Sequence, residues 1–288
     1  MKVARNVDEL ESRPRAVAIG AFDGVHRGHR RVVEAALAAG RTPTVVTFDP
    51  HPRAVLGNQV ELLTTLERRL ELLAELGVED TLVVEFTLEL AQLEPEEFAA
   101  TWLAPIGTEV VVAGANFRFG CDRRGDLELL RTLGYDARPV PHVEGISSST
   151  IRHLVRAGEI DAAARGLGRP PELDGVVVSG DARGGTLGFP TANLRVQADL
   201  LVPAFGIYAG SALGTRAAIS IGTNVHYGGS ERRIEAFLLD FDGDLYGQRV
   251  VVEVWERLRE ERAFASEKDL VEAIAADVAQ TRRATRPA

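Results

Sequence analysis

Two histidines, His26 and His29, stand inside the run Gly20-Ala21-Phe22-Asp23-Gly24-Val25-His26-Arg27-Gly28-His29. Residues 16–19 before it are apolar and read as a buried strand, and residues 31–39 after it read as a helix. Both imidazoles therefore fall at a strand-to-helix turn, where unpaired backbone N–H groups and the helix dipole favour phosphate. Gly24 and Gly28 allow the backbone to approach a ligand closely. A second string, Phe189-Pro190-Thr191-Ala192-Asn193, follows a glycine-rich stretch over residues 180–188 that includes Gly184, Gly185 and Thr186. Glycine-rich loops present N–H groups to phosphates. Hydroxyl and amide oxygens, as on Thr191 and Asn193, suit a hard ion such as Mg²⁺. Glu235 lies in the alternating run Ile234-Glu235-Ala236-Phe237-Leu238-Leu239, where apolar neighbours would restrict its solvent, as a general base requires. An exposed strand glutamate would look the same.

The elements that must position these groups follow two grammars. In residues 1–168, strand-like runs at 16–19, 44–48, 81–84 and 109–113 alternate with helical patterns. The clearest helix spans residues 65–77, with Thr64 and Glu67 in capping-box spacing and Gly77 as a stop. Such alternation predicts a parallel sheet with helices on both faces. Ligands of such sheets bind beyond the carboxyl ends of the strands, where His26 and His29 fall. After Leu167-Gly168-Arg169-Pro170-Pro171 the segments become short and β-rich, at 175–179, 206–213, 217–221, 233–240 and 248–255, before one helix near 266–282. Residues 169–288 thus predict a small β-barrel with a C-terminal helix.

The 288 residues carry a net charge of −9, which argues against nucleic acid or a membrane surface as partner. Lys2 and Lys268 are the only lysines, which excludes a P-loop lysine. Cys121 is alone, so an intrachain disulfide is impossible, and no third ligand at suitable spacing joins His26 and His29 for zinc. No signal-peptide core or membrane-spanning run is present, so a cytoplasmic protein is expected. The oligomeric state stays open.

Three more strings complete a pattern: Thr47-Phe48-Asp49-Pro50-His51-Pro52, Gly114-Ala115-Asn116-Phe117-Arg118-Phe119-Gly120 and Ile146-Ser147-Ser148-Ser149-Thr150-Ile151-Arg152. The first half, with its HxGH string, resembles the nucleotidylyltransferases, and specifically the adenylyltransferase half of the bacterial bifunctional riboflavin kinase/FAD synthetase family. The PTAN string in the second half is similar to the hallmark of riboflavin kinases. The resemblance covers residues 16–282 in the family's order, and it implies a Rossmann-like nucleotidylyltransferase domain followed by a riboflavin kinase barrel. Riboflavin, FMN and ATP would be the small-molecule substrates, Mg²⁺ the metal, and FMN and FAD the products.

By this resemblance His26 and His29 are catalytic donors to ATP phosphates. Phe22, Asp23, Gly24, Gly28, Ser147, Ser148 and Arg152 would hold phosphate, and Asn116 would meet the flavin. In the second half Gly184, Gly185 and Thr186 would bind ATP, Thr191 and Asn193 the metal, Arg259 the flavin, and Glu235 would be the base. Ser149 replaces the family's usual threonine and keeps the hydroxyl. Gly185 stands where many relatives carry arginine, and Val225-His226-Tyr227 lacks the family's proline, which suggests a single-activity enzyme with a weakened kinase as an alternative. A non-catalytic flavin-binding regulator would be expected to lose His26, His29 or Glu235, and all three are present.

Overall fold

The computed structural model describes residues 1–179, 189–223 and 232–287. Its contacts divide the chain into two compact units, one formed by Met1–Val60 and Leu66–Ser147, the other by Glu61–Thr65 and Ser148–Ala288.

The first unit is built on strands β1 (Lys2–Ala4), β2 (Arg15–Ile19), β3 (Thr42–Asp49), β4 (Asp80–Glu85), β5 (Thr108–Gly114) and β6 (Asp136–Val140). They form one parallel sheet in the order β1-β4-β3-β2-β5-β6. Central strands of a parallel sheet are covered on both faces and so read as continuous apolar runs. Alternate residues of β2 accordingly enter two different cores. Ala16 and Ala18 pack with Val32 and Val33 of α1 (Arg27–Leu37) and with Leu72 and Leu73 of α3 (Leu66–Glu75). Val17 and Ile19 pack on the opposite face with Leu90 of α4 (Leu88–Ala91), Phe98 of α5 (Pro95–Phe98) and Leu130 of α6 (Leu127–Thr132). The short α2 (Pro52–Val55) follows β3.

Helix α1 begins at Arg27, earlier than the apolar pattern from residue 31 predicts, because His26 caps it. Strand β6 was not apparent in the pattern. It is an edge strand carrying Arg138 and Pro139, and proline is tolerated at such an edge.

At the far end of the sheet from the phosphate turn, Asp80 accepts from Arg13 at 2.7 Å and also pairs with the fully buried Arg15. Burial pushes the Asp80 pKa up, but the hydrogen bonds and charges of Arg13 and Arg15 outweigh it and leave the group below its ordinary value.

The second unit contains α7 (Ser148–Ala157), α8 (Ile160–Leu167) and strands β7 (Glu172–Val178), β8 (Ala192–Val196), β9 (Gly206–Ala212), β10 (Thr215–Thr223), β11 (Arg232–Leu238) and β12 (Arg249–Arg259). They close an antiparallel barrel in the order β10-β11-β8-β7-β12-β9. Leu173, Tyr208, Ile219, Ile234, Val252 and Val254 fill its interior. Helix α9 (Glu267–Arg283) packs outside β9 and β10, its first turn capped by the Ser266 hydroxyl, which accepts from the Asp269 N–H at 3.2 Å.

Segment Glu61–Thr65 is stitched into this unit. Leu62 forms a parallel bridge with Leu200, donating to Asp199 O at 2.6 Å and accepting from Leu201 N at 2.8 Å. Arg152 Nε donates to Glu61 O at 2.7 Å, and Thr65 donates to Asp174, whose carboxylate also holds the Arg249 fork at 2.8 and 2.9 Å.

Candidate active sites

Strands β3, β2 and β5 are neighbours whose carboxyl ends share one edge of the parallel sheet; Asp49 ends β3, and the loops after β2 and β5 carry the two histidines and Asn116. The turn after β2 is sharply constrained. Phe22, Gly24 and Val25 all have positive φ, at 50°, 82° and 38°. Glycine tolerates this, but for a β-branched valine it is an outlier costing about 1–3 kcal/mol, a kind of strain that clusters at ligand-binding turns. Asp23 and His26 are buried in this turn.

His26 Nδ1 accepts from the His29 N–H at 3.3 Å, so a neutral His26 ring carries its proton on Nε2. The two imidazoles stack with centroids 3.6 Å apart at 15°, and Phe22 meets His29 edge-on at 5.3 Å. A side-chain carbon at Gly28 would lie 3.0 Å from His26 Cε1 and 3.2 Å from its Nδ1, so the glycine leaves room for the stacked ring. The Thr47 hydroxyl of β3 donates to Ala21 O at 3.1 Å and ties the turn to the next strand. Asn116 is exposed in the loop after β5. Ser147 ends the first unit, while Ser148 opens α7 in the second, and Arg152 is buried one turn into that helix.

The barrel assembles its cluster by register. Asn193 of β8 pairs directly with Glu235 of β11. Side chains alternate along a strand, so Thr191 shares a face with Asn193, and Arg233 with Glu235. The contacts agree: Thr191 Oγ1 donates to Glu235 Oε1 at 3.2 Å, Arg233 Nη2 lies 2.8 Å from the same oxygen, and Arg233 Nε donates to Asn193 Oδ1 at 3.2 Å. The Glu235 side chain is 25 % exposed, between a buried base and a solvated glutamate.

Thr191 and Glu235 line a cleft of about 310 Å³ that extends to Arg259, Phe264 and Asp277. Thr191 also lines a second cavity, of about 190 Å³, with Pro190, Leu238, Phe241 and Tyr246. Arg259 is held by the Asp277 carboxylate of α9 at 2.9 and 2.7 Å, and its guanidinium lies 5.6 Å from the Phe264 ring. Gly184, Gly185, Thr186 and the Val225-His226-Tyr227 departure lie outside the described residues.

The two histidines are close in the chain and the turn brings them together. The sequence pattern marks neither Arg233 nor Asp277 as a site residue. Alternation alone places Arg233 beside Glu235, whereas only tertiary packing delivers Phe264 and Asp277.

These two constructions occur together in known proteins. Residues 8–150 match the FAD synthetase family and residues 167–285 the riboflavin kinase family. A bifunctional riboflavin kinase/FMN adenylyltransferase from Listeria monocytogenes is 35% identical, with 96% of this chain and 94% of that protein covered. The chain belongs to the bifunctional riboflavin kinase/FMN adenylyltransferase family. The Escherichia coli member is 33% identical over 96% of both chains. A crystal structure described as a macrolide-efflux protein from Streptococcus pneumoniae superposes with a TM-score of 0.87 at 31% identity, covering 98% of this chain and 99% of that one. Among the described residues, no helix here is long and apolar enough to cross a membrane.

Proposed function

We propose that this chain phosphorylates riboflavin to FMN within residues 169–288 and adenylates FMN to FAD, releasing pyrophosphate, with the machinery of residues 1–168. Membership of the bifunctional family supports both reactions. The observation that carries the residue assignment is the meeting of Thr191, Asn193 and Glu235, far apart in the chain, on one face of the barrel.

In the kinase reaction Glu235 accepts the proton of the ribityl 5′-hydroxyl as that oxygen attacks the γ-phosphorus of ATP, and ADP departs. Arg233 and Thr191 orient the carboxylate. The flavin occupies the cleft beside Phe264 and Arg259, and the nucleotide extends from Thr191 into the cavity with Phe241 and Tyr246. Thr191 and Asn193 offer the hard, neutral oxygens that Mg²⁺ prefers. Bound there, Mg²⁺ supplies neutralisation of charge on the phosphoryl oxygens. Gly184, Gly185 and Thr186 complete the assignment as ATP-binding residues.

In the adenylyl transfer an FMN phosphate oxygen attacks the α-phosphorus of ATP. His26 and His29 donate to phosphoryl oxygens as charge builds, and the turn Phe22-Asp23-Gly24 with Gly28 holds the polyphosphate at the N-terminus of α1. Ser147, Ser148 and Arg152 hold phosphate at the start of α7, and Asn116 meets the flavin. No covalent nucleophile is needed. A cytoplasmic setting, where ATP is supplied, completes the reading.

The test is chromatography of flavins after incubating the protein with riboflavin, ATP and Mg²⁺, beside a tube started from FMN. FMN and FAD in the first tube and FAD in the second are expected. FAD formed only from FMN would remove the kinase assignment, and no new flavin in either tube would remove both.

A further inference from the structure

Arg69, in the middle of α3, is fully buried. Its Nη1 donates to Phe48 O at 3.0 Å and reaches Thr47 Oγ1 at 3.5 Å, the limit of hydrogen-bond distance. Its Nε and Nη2 are buried with no hydrogen-bond partner. A guanidinium has five N–H donors, so most of this one's capacity goes unused. Burial holds its pKa below the ordinary value, and the negative charges of Asp23 and Asp49 offset only part of that.

This is a poor way to build a core. A buried ion replaced by an apolar side chain of similar volume often leaves a protein as stable or more so. What distinguishes the position is its company. Asp23 lies in the turn that carries the histidines, and Asp49 ends β3, whose Thr47 hydroxyl holds the Ala21 carbonyl of that same turn. Two carboxylates at a polyphosphate site would repel the nucleotide unless a cation offset them.

We infer that Arg69 is a positioning residue for adenylyl transfer, its charge offsetting Asp23 and Asp49 while its Nη1 anchors the end of β3, whose Thr47 hydroxyl holds the phosphate turn. It touches no substrate. Its effect falls on how well ATP is received, and it rests on the reading of His26 and His29 as the adenylyl-transfer site.

Three variants of the full chain separate charge from shape. Arg69→Met keeps the apolar stem, Arg69→Gln keeps a donor for Phe48 O without charge, and Arg69→Lys supplies a compact cation that burial deprotonates more readily than a guanidinium. For Met and Gln the KM for ATP in FAD synthesis from FMN should rise about tenfold or more, in the range that outer residues of a site command. The KM for ATP in riboflavin phosphorylation should not move, and Lys should recover only part of the FAD synthesis that Gln loses. A parent-like KM for ATP in Arg69→Gln, or an equal rise in the KM for ATP of riboflavin phosphorylation, would overturn the inference. Gln decides the matter even where Met fails to fold. A parent protein that makes no FAD from FMN would instead refute the adenylyl-transfer reading.

Discussion

The parallel-sheet unit and the barrel build their sites in opposite ways. The sheet delivers His26 and His29 on one turn, set by backbone dihedrals and a helix cap, so its chemistry is local in sequence. The barrel assembles Thr191, Arg233 and Glu235 by strand pairing, so its chemistry is local only in space. The first kind of site should be sensitive to backbone changes that add a single atom, and the second to the charge and length of individual side chains.

The largest effect should come from the barrel. Glu235→Gln keeps the size and removes the base, and should lower FMN formation by about 10²–10⁴-fold while FAD synthesis from supplied FMN persists. Equal loss of both activities on flavin chromatography would erase the separation of the two sites. The reciprocal change, His29→Ala, should lower FAD synthesis by about 10²–10³-fold and spare riboflavin phosphorylation. Undiminished FAD synthesis in that variant would remove His29 from the machinery.

Asp80→Asn tests the frame of the sheet unit rather than its site. It leaves Arg15 buried without its countercharge and should cost about 3–5 kcal/mol of stability, measured by urea unfolding. Because the folded pKa of Asp80 is lowered, its contribution is present above the ordinary carboxylate value near about 4 and is lost as pH falls through the folded value. The parent should therefore weaken over that acid range more than Asp80→Asn does. Parallel profiles for the two proteins would show that the pair contributes no linkage.

The smallest effect sharpens the contrast. Gly28→Ala adds one carbon against the His26 ring and should cost FAD synthesis about tenfold, as a misplaced group does, with kinase rates unchanged. A neutral outcome would mean that the turn is more compliant than its contacts imply.

What the sequence discloses follows from the same contrast. The central strands of the sheet read correctly to within a residue or two because burial on both faces leaves uninterrupted apolar runs. Edge strand β6, with Arg138 and Pro139, gives no such run. Helix α1 starts ahead of its apolar pattern because His26, not among the usual capping residues, caps it. In the barrel, Ala192-Asn193-Leu194-Arg195-Val196 alternates as a half-buried strand does, but five residues next to a glycine-rich stretch do not announce β8 by themselves. Without β8 the pairing of Asn193 with Glu235 cannot be foreseen. Asp277 reaches Arg259 from a helix whose placement on the barrel no local pattern encodes.

The segment Glu61–Thr65 has a practical consequence for anyone dissecting the molecule. Because these five residues are sewn to Leu200, Asp174 and α7 of the second unit, no single cut divides the chain into two intact parts. A fragment starting at Arg169 would lack both the segment and α7 and α8, leaving Asp174 without its Thr65 donor and Asp199 O and Leu201 N without the backbone partner that Leu62 provides. A swap of kinase halves between relatives should therefore carry residues 61–65 along with residues 148–288.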